Sequence, residues 1–194
     1  CNLTKISTTS FFPSKPLGCY GDGGAIFTND DELAQKIRWI RVHGQDKRYH
    51  HAVLGINGRL DTLQAGILLS KMRIFASEVV LRAQVAQRYD ELFKDSECVT
   101  PYLASGNTSV YAQYTLLVKD RDGLIKHLTA NNIPTAVHYP IPLHKQPIFA
   151  ENYHGQDLSV SEKTAAQVIS LPMHPYLDHA TQDQIVAAVK QFIG

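Results

Sequence analysis

The sequence predicts an α/β protein, and three observations carry that prediction. Short apolar runs of strand length, such as Ala25 to Thr28 and Tyr111 to Val118, alternate with longer stretches whose apolar residues recur every three or four positions. Gly- and Pro-containing turns separate these runs, with no low-complexity tract and no internal repeat. A hydrophobic content of 44% over 194 residues is enough to bury the core of one globular domain, or of a domain and a part.

Taken in order, Ile6 to Ser10 reads as a strand. It runs into an aromatic-proline turn, a lysine, and a loop carrying Gly18, Gly21, Gly23 and Gly24, before a second strand from Ala25 to Thr28. Asn29 or Asp30 then caps a helix with an acidic first turn, apolar positions Leu33, Ile37 and Ile40, and a basic end at Arg38 and Arg41. The stretch RVHGQDKRYHHAVLGINGRLD is expected to be a long irregular loop. A helical pattern from Leu60 to Met72 and a second from Ile74 to Phe93 follow, the latter with a stripe of Phe75, Val79, Ala83, Ala86, Tyr89 and Phe93. This pair is expected to link the end of a large domain, residues 1–72, to a small domain with its linker helix, residues 73–194.

The small domain is expected to contain strands at Val99 to Leu103, Tyr111 to Val118 and Thr135 to Tyr139, and a helix at Asp122 to Asn131. The run HYPIPLHKQPIF should be extended and stiff, because each residue before a proline is pushed out of the helical region. Two helices finish the chain. Capping boxes at Ser159 with Glu162 and at Thr181 with Gln184 start them, Leu171-Pro172 ends the first, and SLPMHPYL connects the two.

Composition excludes several functions. Nineteen basic and 18 acidic residues give no field of one sign, and no Lys/Arg cluster with interleaved aromatics points to nucleic acid. No apolar run approaches the ~20 residues of a membrane span, and the N-terminal residues lack a signal-peptide pattern. Cys1, Cys19 and Cys98 are odd in number and scattered, which suits reduced thiols in the cytoplasm, with Cys19 a small buried thiol. His50 and His51 have no partner at ligand spacing, so no metal site is expected.

The chemistry concentrates on Lys5 to Asn29. Four glycines between positions 18 and 24 imply close backbone approach or positive φ, Pro13 and Pro16 bracket Lys15, and Phe11 and Phe12 offer an apolar wall. A lysine held rigidly beside apolar surface is partly dehydrated and becomes usable as a nucleophile or proton shuttle; an ordinary solvated lysine is the alternative. Ser-Phe-Phe-Pro-Ser-Lys-x-Leu-Gly, followed by Gly-Asp-Gly-Gly-Ala and a strand ending Phe-Thr-Asn, resembles the Schiff-base segment of the DegT/StrS-like nucleotide-sugar aminotransferases, which use pyridoxal 5'-phosphate.

The resemblance runs to the C-terminus and covers only the second half of such proteins. It implies the C-terminal part of an aspartate aminotransferase-like fold: the end of a large domain plus a small α/β domain. It also implies that the first strands, the aspartate facing the pyridine nitrogen and the group stacked on the ring belong to a half outside this chain, without which the fragment is inactive. The resemblance makes Lys15 the catalytic lysine and Ser10 a phosphate ligand; the alternative for Ser10 is a strand-end hydroxyl bonding its own backbone.

In the second motif, Gly-Ile-Asn-Gly-Arg-Leu at 55–60, the resemblance places Asn57 on the cofactor phosphate of the neighbouring subunit of a homodimer and Arg59 on the substrate side. The bland readings are a turn asparagine and a surface arginine. In the third, Val-His-Tyr-Pro-x-Pro-Leu-His at 137–144, it places His138 and Tyr139 beside the sugar, with His144 read as a buried structural histidine.

The sequence is most similar to members that aminate C3 of a UDP-linked N-acetylhexuronic keto sugar with glutamate as donor. Dehydratase relatives carry histidine in place of the lysine, and Lys15 argues against that branch. A non-catalytic dimerisation or sugar-binding fragment is the alternative. A dinucleotide site on GCYGDGG is disfavoured because no long helix with an acidic residue ~20 positions on follows it.

Overall fold

The computed structural model describes residues 3–149, 151, 153 and 155–194, so Cys1 lies outside the described residues. The chain is mixed α/β and divides into two compact units, Cys1–Ala76 and Ser77–Gly194.

In the first unit, β1 (Ser7–Ser10) pairs antiparallel with β2 (Gly24–Phe27), with Ser7 opposite Phe27 and Ser10 opposite Gly24. Asp30 caps α1 (Asp31–Ile40) by accepting the Leu33 N–H, and Asp31 and Glu32 complement the positive end of the helix dipole. The segment expected to be an irregular loop instead contains a small hairpin, β3 (Gln45–Lys47) with β4 (His50–His51). Tyr49, with φ of 64°, turns the chain between them. The segment is also cinched at Gly44, whose φ is 73° and whose missing Cβ would lie 1.7 Å from the Val53 carbonyl oxygen. Only glycine fits there.

The helix pair expected at 60–93 is one helix, α2 (Thr62–Phe93), 32 residues long. No proline interrupts it, and Arg73 between the two apolar stripes is itself a good helix former. The stripe changes face there, and the change imitates a break.

The core lies in the second unit. Tyr89, Phe93, Tyr114, Leu116, Leu124, Leu128, Ile169, Ile185 and Val189 are at most 2% exposed, and the Tyr89 and Tyr114 rings stack at 4.7 Å. Of the buried apolar residues described, Cys19 and Leu68 alone belong to the first unit. The second unit is built on β5 (Tyr114–Leu117) and β6 (Val168–Leu171), paired antiparallel with Tyr114 opposite Leu171, and on α3 (Arg121–Ala130), α4 (Ser159–Gln167) and α5 (His179–Ile193).

The strand β6 is a correction to the sequence reading, which ran the helix on to Leu171-Pro172. VISL is buried at every position, so its apolar run carries no alternation to separate strand from helix. The strands expected at 99–103 and 135–139 reduce to single bridges, Val99 to Leu117 and Ala136 to Ser170, because Pro101, Pro134 and Pro140 cannot donate to a ladder.

The proline run is not uniformly extended. It forms two short 3-10 turns, Leu143–Lys145 and Pro147–Phe149. Neither capping box forms. The Glu162 carboxylate instead binds His144 Nε2 at 3.0 Å and Lys145 Nζ at 3.2 Å. Asp178 caps α5 and accepts both the N–H and the hydroxyl of Thr181.

Tyr114 Oη donates to Asp90 Oδ1 at 2.5 Å. Burial, the largest influence, holds the Asp90 carboxyl above its ordinary value of 3.8, and the Tyr114 bond opposes it. The fold therefore favours the protonated acid, so native protein binds more protons than unfolded chain as pH rises from 3.8 through the folded-state value, and stability falls across that window. Asp90→Asn, which keeps an acceptor for Tyr114, should abolish that decline in thermal melts from pH 3.5 to 7. A wild-type melting temperature that rises over the same window relative to the variant would contradict the assignment.

Candidate functional site

The lysine loop is built from backbone bonds. Phe11 N–H donates to Gly23 O, and Cys19 N–H to Phe11 O, both at 2.8 Å, which continues the β1–β2 pairing into the loop. Within it, Phe12 to Lys15 form a tight turn closed by Lys15 N–H to Phe12 O at 2.8 Å, with Pro13 at the position where its fixed φ fits. Gly18 crosses this turn so closely that a Cβ would lie 2.6 Å from Phe12 O and 2.7 Å from Pro13 O. Helix α2 pins the far side: Lys71 Nζ donates to Gly18 O at 2.6 Å, and Gln64 Oε1 accepts Tyr20 N–H at 2.8 Å. Cys19, fully buried as expected, sets its Sγ 3.0 Å from both Phe11 O and Gly21 O.

Lys15 itself is exposed, and Phe12, half of the expected apolar wall, is 50% exposed. The expectation that apolar surface within this chain dehydrates the amine is therefore not met; the turn presents Lys15 outward. Ser10, also exposed, accepts Phe12 N–H at 3.2 Å, which leaves its hydroxyl proton available to an anion.

Asn57 and Arg59 sit on a segment laid antiparallel to the end of α1. Val42 and Asn57 form a bridge, His43 N–H donates to Ile56 O at 2.9 Å, and Gly58 N–H to Arg41 O at 2.8 Å. Both side chains are exposed, and Arg59 Nη1 donates to His43 Nε2 at 3.2 Å. A groove of about 1020 Å³ runs along β2 and α1, lined by Ala25, Phe27 and Ile37 with Arg38, Arg41 and Arg59. Its basic lining was not foreseen beyond Arg59, because Arg38 and Arg41 read as helix-end charges. Lys15, Ser10 and Asn57 do not line it.

His138 and Tyr139 belong to the second unit. They line a separate groove of about 540 Å³ with Pro140, Ile141, Leu143 and Val168. Tyr139 is 71% exposed; His138 is half-buried, with Nδ1 3.3 Å from Ser170 Oγ. His144, whose side chain is 11% exposed, is tied to Glu162 and fits its structural reading. Ser170 was missed, and its signal was a lone hydroxyl in the apolar run VISL. Among the described residues no cluster of three His, Cys, Asp or Glu could hold a metal, and no helix is long and apolar enough to cross a membrane.

The donor set suits a phosphorylated aldehyde cofactor: an outward primary amine on a turn that Gly18 locks, with a strand-end hydroxyl beside it in sequence. The fold around this turn is that of a family of aminotransferases: the chain belongs to the DegT/DnrJ/EryC1/StrS aminotransferase family, whose profile matches residues 1–190. It is 58% identical over 189 residues to the UDP-2-acetamido-2-deoxy-3-oxo-D-glucuronate aminotransferase of Pseudomonas aeruginosa, covering 97% of this chain and 52% of that protein.

Among solved structures, a DegT/DnrJ/EryC1/StrS aminotransferase from Brucella abortus superposes with a TM-score of 0.93 at 44% identity, covering all of this chain and 52% of that one. NtdA from Bacillus subtilis, solved with bound cofactor PMP, superposes with a TM-score of 0.88 at 30% identity, covering 98% of this chain and 46% of that one. The chain thus spans about half the length of the relatives it matches, and over that half it has their fold.

Gly18→Ala should push the Phe12–Lys15 turn away from Gly18. Hydrogen exchange at the Cys19 amide, which reports the closed loop, should then lose protection. An unchanged rate would show that the turn does not depend on the close approach.

Proposed function

We propose that this chain is the lysine-bearing half of a pyridoxal 5'-phosphate-dependent aminotransferase that moves an amino group from an amino acid, glutamate, to a keto nucleotide-sugar. Family membership together with the outward Lys15 on a glycine-locked turn is the observation that carries the reading. The bound cofactor supplies an aldehyde carbon for the amine and a conjugated ring that accommodates the electron pair left when a proton leaves the neighbouring carbon. Lys15 Nζ would hold the group through its amine and would move a proton at the substrate carbon. The Ser10 hydroxyl donates to the phosphate. Asn57 donates to the phosphate of the neighbouring subunit in a homodimer.

The substrate assignment draws on the Pseudomonas aeruginosa relative, whose named substrate is a UDP-linked 3-oxo-glucuronate. Arg59 pairs with the carboxylate of such a sugar, while His138 and Tyr139 donate to its hydroxyl or acetamido oxygens. In this reading the enzyme serves surface polysaccharide or antibiotic sugar biosynthesis, and the buried thiols Cys19 and Cys98 fit a reducing cytoplasm.

Assembled with the half that relatives carry and this chain does not match, the enzyme should be yellow, and borohydride should fix the cofactor's mass on the peptide containing Lys15. An adduct on another lysine would refute the assignment. Arg59→Ala should lower kcat/KM for a UDP-hexuronic keto sugar by roughly two orders of magnitude, at ~1.4 kcal/mol per factor of ten, while changing a non-acidic UDP-keto sugar far less. Equal losses on both sugars would assign Arg59 to the cofactor or the subunit interface.

A further inference from the structure

We infer that Ser170, backed by Thr115, is a positioning residue that fixes which ring nitrogen of His138 carries the proton, and so makes His138 a hydrogen-bond donor toward the sugar. The inference rests on the reading of His138 as a sugar contact. Thr115 and Ser170 stand opposite each other on β5 and β6, so their side chains share one face, with the two hydroxyl oxygens 2.8 Å apart. On the other edge of β6, Ser170 exchanges both backbone bonds with Ala136, at 2.7 and 3.2 Å. His138, two residues beyond Ala136, returns to that face, and its Nδ1 lies 3.3 Å from Ser170 Oγ. Ser170 is 4% exposed and stands in the middle of three groups that have no other side-chain bond among the described residues.

Counting protons gives the chain a direction. Thr115 has one hydroxyl proton, and Ser170 Oγ is its acceptor among the described residues. If Thr115 donates to Ser170, the Ser170 proton is left for His138 Nδ1, which must then be the bare nitrogen. The proton of a neutral His138 therefore sits on Nε2, the nitrogen turned away from Ser170. The reverse order, His138 to Ser170 to Thr115, leaves the Thr115 proton without an acceptor among the described residues, on the sheet face rather than at the groove. Each order leaves one donor unpartnered among the described residues, and the first, from Thr115 to His138, leaves it on the ring that lines the groove, where a hydroxyl, carbonyl or carboxylate oxygen of the sugar can accept it.

The tautomer can be read directly from ¹⁵N chemical shifts of His138 in the full chain, at a pH where the ring is neutral. Wild type should show Nε2 protonated and Nδ1 bare; Ser170→Ala and the isosteric Thr115→Val should each weaken that preference, and Ser170→Thr should retain it. A wild-type ring protonated on Nδ1, or a preference unchanged in both Ser170→Ala and Thr115→Val, overturns the inference.

In the complete enzyme, Ser170→Ala should raise KM for a UDP-linked keto sugar about tenfold with kcat little changed, and His138→Phe should raise it at least as much. If the tautomer shifts as described but neither variant raises KM, the sugar-contact reading of His138 fails while the positioning by Ser170 stands.

Discussion

A strand buried on both faces cannot hold an unpaired polar group, and the second unit is organised by that constraint on Val168–Leu171. An unsatisfied buried donor or acceptor costs on the order of 1–3 kcal/mol, a large part of the net stability of any domain. Two polar residues are buried among those described, and both are fully engaged. Ser170 is bracketed by Thr115, Ala136 and His138, and Gln182 donates to Val85 O while accepting from Arg88. Satisfying Ser170 draws the 136–138 segment onto the strand edge. The same contacts therefore complete the core and set the ring that faces the groove.

The first unit obtains its shape differently. With only Cys19 and Leu68 buried among its described apolar residues, it relies on backbone bonds and on glycines where chains cross. Gly18 over Phe12 and Pro13, and Gly44 against Val53, are contacts that no side chain could share, so these loops have little freedom to drift. A turn that cannot drift is what an exposed lysine needs if its amine is to meet a reacting carbon in one geometry.

What the sequence made legible was local. The Gly and Pro content of 13–24 marked the lysine loop, Asn29 or Asp30 offered a cap that Asp30 fills, and the motifs around Lys15, Asn57 and His138 pointed to one family. What it hid was set by distance or by competition. Strand β6 escaped because VISL has no alternation, and Ser170 escaped because its partners Thr115 and His138 lie 55 and 32 positions away. The capping box at Ser159 failed because His144, 18 positions earlier, claims Glu162. The basic lining from Arg38 and Arg41 follows from the return of 55–60 along α1, a long-range pairing that no periodicity announces.

The thiol of Cys19 has no measurable surface, and its Sγ touches the carbonyls of Phe11 and Gly21, the two walls of the lysine loop. Alkylating reagents can reach that sulfur only when those walls part, and the same parting releases the Cys19 amide from Phe11 O. Cys19 is thus a chemical label set between the two walls of the loop. The speed at which it reacts is a clock for how often the lysine turn loses its shape.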